Sequence, residues 1–389
     1  MAATTVPALA DDQAAPEKKT PVIKLVPKRK LGKTGVEVSM LNQGTSSKLD
    51  LRHLNIMHDE GIRYIDTAST YGGGESERTI AEWFQKTGYR KEYFLVTKDK
   101  PKAPEQWVDM LDRRLEALQT DYIDLYFIHN LGREAYGGEA SADWIQDKAW
   151  TTAAEKIRNS GKARFLGFST HCKLIGLRAK LLNTAAAGGW VDAIMVATNL
   201  TAMRENKEFN QALDNCHDAG VGLISMKECK DVAQVKKVFP RFKEKGLSKF
   251  TAVLTAMWTD ERFSSISSAM DNINKLRENA AAARNFQPLT SDELVSVDMM
   301  LRGLDRMYCA ACDGSCQRAA GTRADLNTIA RYVSYVEECG QLKEARLLFA
   351  ALPLEARNWR GADLQSASRA CKCRMDFARI MKKAERYFA

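Results

Sequence analysis

A chain of 389 residues, 45% of them hydrophobic, can bury one large core or two ordinary ones, and no run in it is long and apolar enough to span a bilayer. Its 58 basic and 49 acidic residues leave a charge of +9. Much of that excess is thin or terminal (Lys18, Lys19, Lys24, Lys28, Arg29, Lys30; Arg379, Lys382, Lys383, Arg386), without the single basic face and interleaved aromatics of a nucleic-acid binder.

Residues 1–27, rich in Ala, Pro and charge and without periodicity, read as a disordered leader. The "ALA" at 8–10 before Asp11 resembles a signal-peptidase site, but no basic or apolar segment precedes it. A cytoplasmic protein is the expectation, and an exported one whose signal has been removed is the alternative.

From Arg29 onward a rhythm sets in. "LGKTG" at 31–35 turns a small hairpin, pairing 28–31 with 36–39, that plugs the bottom of the sheet built by the later strands. Apolar β-rich runs fall at 38–45, 63–68, 93–98, 123–129, 164–169, 191–199, 221–227 and 263–269. Amphipathic stretches separate them. One is "SERTIAEWFQKTG", with Ser76 to cap it and Gly88 to end it. Another is "PEQWVDMLDRRLEALQTD", with Trp107, Met110, Leu111, Leu115 and Leu118 on one face. Eight strand–helix units of this kind suit an α/β fold of the (β/α)8 TIM-barrel type better than an open doubly wound sheet. Neither glycine-rich stretch has dinucleotide or phosphate-loop spacing, so any nicotinamide must bind on the barrel mouth.

Beyond residue 269 the pattern turns helical: 272–285, then "TSDELVSVDMMLRGLDRM" with Thr290 or Ser291 as cap and Glu293 near the box position. Further helices are expected at "RADLNTIARYVSYVEECG", "KEARLLFAALP" and "MDFARIMKKAERYFA". The expected organisation is a leader at 1–27, a barrel at 28–289 and a helical, cysteine-bearing C-terminal extension at 290–389.

Barrel active sites form at the C-terminal ends of the strands. Those ends offer Asp66, Lys98 and His129 from the second, third and fourth strands, with Tyr71 in the glycine-rich loop after the second. An ammonium beside a phenol favours phenolate, a carboxylate can hold the ammonium, and an imidazole can orient a carbonyl oxygen. Together they make a workable general acid for a forming alkoxide. Singly, each residue has a plainer use: Asp66 as a loop cap, Tyr71 as a turn aromatic, Lys98 on the surface, His129 in the core.

"RKLGKTGVEVSML", "YIDTASTYGGGESE", "VTK", "DYIDLYFIHN" and "GKARFLGFST" resemble the aldo/keto reductase superfamily over residues 28 to 285. The resemblance implies an NAD(P)H-dependent oxidoreductase that reduces a small-molecule carbonyl (aldehyde, ketone or sugar) to an alcohol, with Tyr71 donating the proton and Asp66, Lys98 and His129 completing the set. The glycines would let the loop pass close to the pocket. It also implies cofactor contacts from Gly44, Thr45, Ser46, Ser169, Thr170, Asn199, Met226, Lys227, Lys275 and Asn279. Met195 stands where the family often has Gln, and Ser268, Ala269 and Met270 stand where a basic residue often meets the adenosine phosphate. NADP(H) is the expectation and NAD(H) the alternative. Another reading is a catalytically weak nicotinamide-sensing or electron-transfer module.

Cys309-x2-Cys312-x3-Cys316, with Cys371 and Cys373 downstream, resembles the ferredoxin-like tail of one aldo/keto reductase branch. This implies one [4Fe-4S] cluster on Cys309, Cys312, Cys316 and Cys371 or Cys373, and a redox partner docking there. The third spacing and Gln317 depart from the ferredoxin run, so disulfides or free thiols and zinc stay open. In the loop 131–150, Tyr136, Trp144 and Trp150 form either a pocket wall or packing under the loop.

Overall fold

The hairpin predicted from "LGKTG" is present. β1 (Lys28–Lys30) pairs antiparallel with β2 (Glu37–Ser39), and Gly35 takes a left-handed turn at φ 76°. The structure, a computed structural model, describes residues 23–46, 49–229, 232, 235, 238–301, 309, 313–371 and 375–388. The run predicted at 38–45 divides in two. Met40 bonds back to the Pro27 carbonyl at 2.8 Å and turns the chain from the hairpin into the first barrel strand.

That strand is β3 (Leu41–Gly44), followed by β4 (Tyr64–Asp66), β5 (Phe94–Asp99), β6 (Ile123–Ile128), β7 (Ala163–Thr170), β8 (Ala193–Ala197), β9 (Gly222–Met226) and β10 (Phe263–Ser268). All pair in parallel and in order, and β10 closes on β3. Helices at Leu51–Asp59, Glu75–Thr87, Pro104–Leu118, Lys148–Asn159, Ile175–Ala186, Lys207–Asp218, Lys249–Thr259 and Ile273–Arg284 wrap the outside. This is a (β/α)8 barrel.

Two apolar clusters arise from strand alternation. One fills the interior: Leu31 and Val38 from the hairpin seal the bottom, and Tyr64, Phe94, Val96, Leu125, Phe127, Ala193, Met195 and Ile224 rise above them. The other lies between strands and helices and takes the opposite strand faces, including Ile65, Leu95, Tyr126 and Ile128. Trp150 belongs to that outer core, where Trp144 stacks on it at 4.3 Å. Those two aromatics of the 131–150 loop therefore pack beneath it.

The helix at Ser291–Leu301 starts with the expected box, Thr290 and Glu293 exchanging bonds of 2.9 and 3.3 Å. Its Val297, Met299 and Met300 pack on Val253 and Ala256 of the barrel's outer helices. Further on, helices at Ser315–Ala319, Leu326–Cys339, Leu342–Ala350, Leu364–Ala370 and Phe377–Phe388 gather around a smaller core of Leu326, Ile329, Val333, Phe377 and Met381. Among the described residues, no helix is long and apolar enough to cross a membrane.

Two glycines near the site are there for different reasons. Gly73 sits at φ 62° with open space where a Cβ would go, whereas a Cβ on Gly167 in β7 would lie 1.8 Å from the Ala193 carbonyl oxygen of the next strand. Gly73→Ala should therefore cost only about 1–2 kcal/mol of left-handed strain and leave a folded barrel. Gly167→Ala should push β7 from β8 and cost several kcal/mol, on the order of the largest single-residue losses. Thermal unfolding followed by circular dichroism tests the ranking, and the reverse order would refute it.

Candidate active site

The alternation that fills the barrel also aims its upper rim. Tyr64 in β4, Phe94 and Val96 in β5, and Leu125 and Phe127 in β6 point inward. The next inward positions are Asp66, Lys98 and His129. Register places Asp66 opposite Val96, and Lys98 opposite Phe127.

Lys98 is 1% exposed, and its Nζ lies 2.6 Å from Asp66 Oδ1. It also donates to the Thr67 carbonyl at 2.7 Å. Tyr71 stands above this pair, its ring centre 5.0 Å from the ammonium and 5.7 Å from the His129 ring, which meets it edge-on at 83°. Its hydroxyl hydrogen-bonds Lys98.

Burial raises the Asp66 carboxyl, with Lys98 pulling against it. Burial alone would lower Lys98, but Asp66 and Tyr71 outweigh it, and the ammonium ends above its ordinary value. The expectation that Lys98 would bring the Tyr71 phenol down needs correction in its balance. Lys98 does pull it down, but burial pushes harder and the phenol ends above its usual value. Tyr71 therefore keeps its proton. Burial, then Lys98, Lys100, His171 and Arg133, push His129 down to about 2, so its imidazole is neutral. Among the described residues its buried Nδ1 has no hydrogen-bond partner.

The glycine run is a conformational requirement. Gly72, Gly73 and Gly74 hold φ of 58°, 62° and 87° in succession, a path only glycine follows cheaply. Since a Cβ on Gly73 would meet nothing, backbone freedom rather than close approach to the pocket accounts for it. Gly74 is also the residue before the helix Glu75–Thr87, and Ser76, expected as its cap, is used elsewhere. Ser76 Oγ donates to Thr45 Oγ1 and contacts Thr67 Oγ1, both at 2.7 Å. Thr45 in turn donates to the Asp66 carbonyl at 2.8 Å.

A second buried network on the outer face of β5 escaped sequence reasoning. Arg114 pairs with Glu77 and lies 3.1 Å from Asp99. Glu77 accepts from Thr97 at 2.6 Å and Asp99 from Tyr126 at 2.9 Å. Thr97 and Asp99 flank Lys98, so this network fixes the strand that carries it. A polar residue on an otherwise apolar helix stripe, Glu77, was the available signal.

A cavity of about 440 Å³ opens beside Asp66 and Tyr71 over the ends of β3, β9 and β10, within the size range of small-molecule pockets. Gly44, Thr45, Ser46, Met226, Lys227, Lys275 and Asn279 line it, with Met195 at its base. Asn279 donates to Ser268 Oγ at 3.1 Å, and the exposed Lys275 pairs with Asp271 at 2.7 Å. Three of the residues expected around the cofactor are not among those lining the cavity. Ser169 and Thr170 secure the loop after His129, accepting from Asn130 N at 3.1 Å and donating to the Leu131 carbonyl at 2.8 Å. Asn199 caps the helix Leu200–Glu205 through the Ala202 N–H at 2.7 Å.

Glu228, Glu278, Phe250 and Leu254 also line the cavity and carried no sequence signal. Lys227 adopts a left-handed φ of 71° without being glycine, a strained conformation of the kind that gathers at functional sites. Glu228 behind it is 4% exposed and accepts from Ser225 Oγ at 2.5 Å.

Cys309, Cys316 and Cys371 border the C-terminal core, while Cys312 and Cys373 lie outside the described residues. Among the described residues no group of three or more His, Cys, Asp or Glu side chains gathers that could hold a metal.

Residues 38–230 match the sequence model of the Aldo/keto reductase family. Aldo-keto reductase yakc [NADP(+)] of Schizosaccharomyces pombe is 29% identical over 178 residues, covering 43% of this chain and 48% of its own. Uncharacterized oxidoreductase YrpG of Bacillus subtilis is 32% identical over 165 residues, covering 36% and 48%. The chain thus spans about half the length of these relatives. In fold it is similar to the aldo-keto reductase AKR11C1 from Bacillus halodurans, with a TM-score of 0.56 at 19% identity over 72% of this chain and 97% of that one.

Burial raises the Glu228 carboxyl to about 7, against Ser225 and Lys227 which pull it down. The folded chain therefore holds this proton more tightly than the unfolded chain, whose carboxyl titrates near 4.5. Stability from this group is full below the unfolded value and is lost as pH rises through 7. Glu228→Gln should accordingly raise the melting temperature relative to the parent at about pH 8 and change it little at about pH 4.5. A melting-temperature difference that does not grow with pH would count against this.

Proposed function

The chain belongs to the aldo/keto reductase superfamily, and we propose that it reduces an aldehyde, ketone or sugar carbonyl to an alcohol with hydride from NAD(P)H, Tyr71 acting as general acid. The observation that carries this reading is the buried Lys98–Asp66 pair at 2.6 Å directly beneath a protonated phenol.

Gly44, Thr45, Ser46, Met226, Lys227, Lys275 and Asn279 would hold the cofactor in the 440 Å³ cavity. Bound there, the nicotinamide would supply the hydride to the carbonyl carbon. On the likeness to a relative named for NADP(+), NADP(H) is the cofactor we assign.

The residues handle the oxygen. Neutral His129 donates a hydrogen bond that orients the carbonyl, and the T-shaped packing on Tyr71 keeps both rings turned to one point. As hydride arrives, negative charge grows on the oxygen and the Tyr71 proton moves to it. The phenolate left behind is stabilised by Lys98, whose charge Asp66 secures, until solvent restores the proton. Fixed charges in a water-poor site need no reorganisation at that moment.

Tyr71→Phe should lower kcat for reduction of a generic aromatic aldehyde by roughly 100- to 10,000-fold, the usual worth of a positioned acid, while NADPH affinity stays within about twofold. Nicotinamide absorbance and fluorescence titration measure the two. Full activity in that variant would overturn the assignment. Tight NADPH binding with no carbonyl turned over by the parent protein would favour a sensing or electron-transfer module.

A further inference from the structure

One side of the barrel mouth carries basic residues that the tetrad does not use. Lys100 follows β5 by one residue, Arg133 lies in the loop after β6, and His171 is the first residue beyond β7. Three consecutive strands thus deliver basic side chains around His129, on the side away from the cavity at β3, β9 and β10.

Several cations in and around the barrel are answered by carboxylates. Lys98 has Asp66, Arg114 has Glu77 and Asp99, Arg90 has Asp124, and Arg262 has Asp214 and Asp260. Among the described residues, neither Lys100 nor Arg133 has a carboxylate partner. Asp99, next to Lys100, pairs with Arg114, and Glu134, next to Arg133, is turned toward Gly138, where an added Cβ would lie 3.3 Å from its Oε2. Asp66 is committed to Lys98. Glu228 belongs to the cavity side, beside Lys227.

The backbone that carries the exposed Arg133 is pinned. The Arg133 carbonyl accepts from Tyr136 N at 2.7 Å and Gly138 N at 2.9 Å, while its own N–H bonds the Asn130 carbonyl at 3.2 Å. Asn130 is one of the chain's few non-glycine residues with positive φ, at 65°. Lys100 Nζ rests 4.9 Å from the centre of the Tyr136 ring in the same loop. After burial, Lys98, Lys100 and Arg133 each help push both His129 and His171 down, and Lys227 of the cavity is the largest charge acting on His171. With both imidazoles neutral and Lys98 paired to Asp66, the charge there comes from Lys100 and Arg133, with Lys227 on the cavity side.

We propose that this side of the mouth binds a second, anionic group on the substrate, so that the preferred carbonyl compound is an oxo acid or a phosphorylated aldehyde or sugar. Lys100 and Arg133 take the anion while Tyr71 and His129 meet the carbonyl oxygen. Cations without carboxylate partners at the mouth attract an anion and repel cationic competitors. The inference rests on the carbonyl-reductase reading and narrows it.

The test compares substrates of matched shape with the full chain and NADPH. Para-carboxybenzaldehyde is set against its methyl ester, and glyceraldehyde phosphate against glyceraldehyde. Two partly exposed charge contacts predict a kcat/KM on the order of tenfold higher for one anionic member of these pairs, and which pair responds distinguishes carboxylate from phosphate. That ratio should fall about threefold in each of Lys100→Met and Arg133→Gln, approach one in the double variant, and shrink in about 0.5 M salt. Equal turnover of both members of both pairs would overturn the anion site and leave the reductase intact. A preference that survives the double variant would overturn its assignment to these residues. If no carbonyl compound is reduced, the parent reading fails instead. Binding of para-carboxybenzyl alcohol against benzyl alcohol, and of glycerol phosphate against glycerol, to the NADP-loaded protein then decides the anion question: tighter binding of an anion upholds it, and equal binding in both pairs refutes it.

Discussion

The whole rim is organised around one costly arrangement, an ammonium held inside the barrel with almost no contact with water. Taking such a charge out of water carries a penalty of several kcal/mol, and Lys98 meets it with Asp66, the Thr67 carbonyl and the Tyr71 hydroxyl. Each of those partners is fixed in turn. Asp66 is held through its carbonyl by Thr45, and the strand under Lys98 is braced from behind by Glu77, Arg114 and Asp99. The site is thus a layered set of satisfied polar groups around a single buried charge. Its rigidity is a condition of its existence, because a half-satisfied network of this kind would be unstable.

The same constraint explains which parts of the molecule could be read in advance. Strand alternation and amphipathic helices are short-range patterns, so eight strand–helix units, the bottom hairpin and the Thr290–Glu293 box are visible in the residues alone. The gathering of Asp66, Lys98 and His129 is legible too, because parallel strands in sequence order bring their ends to one rim. What could not be read depends on which face a polar residue turns to and what surrounds it. Ser76 looks like a helix cap and serves in a hydroxyl chain. Glu77 marks its helix stripe as unusual, but nothing in the spacing names Arg114 and Thr97 as the partners among which it is fully buried. The Tyr71 proton depends on whether burial or Lys98 prevails, which no spacing encodes.

The tail shows the other limit of sequence reading. Cys309, Cys316 and Cys371 are set along a hydrophobic core with Leu326, Ile329 and Phe377, while Cys312 and Cys373, which complete the spacing, lie outside the described residues. A sulfur atom is also a small apolar group, and packing alone is a sufficient reason for a cysteine to border a core.

The bottom hairpin has a consequence for how the chain comes into being. Arg29 donates to the Phe263 carbonyl at 3.0 Å and also reaches that of Trp258, 234 and 229 residues away, and β3 has its outer neighbour only in β10. During synthesis the anchor of the plug and the second edge of the first strand must therefore wait for nearly all of the barrel to be made. Contacts so distant along the chain are slow to form. Until they do, the growing polypeptide carries an open sheet edge, which makes closure, rather than the formation of any single unit, the vulnerable moment in its assembly.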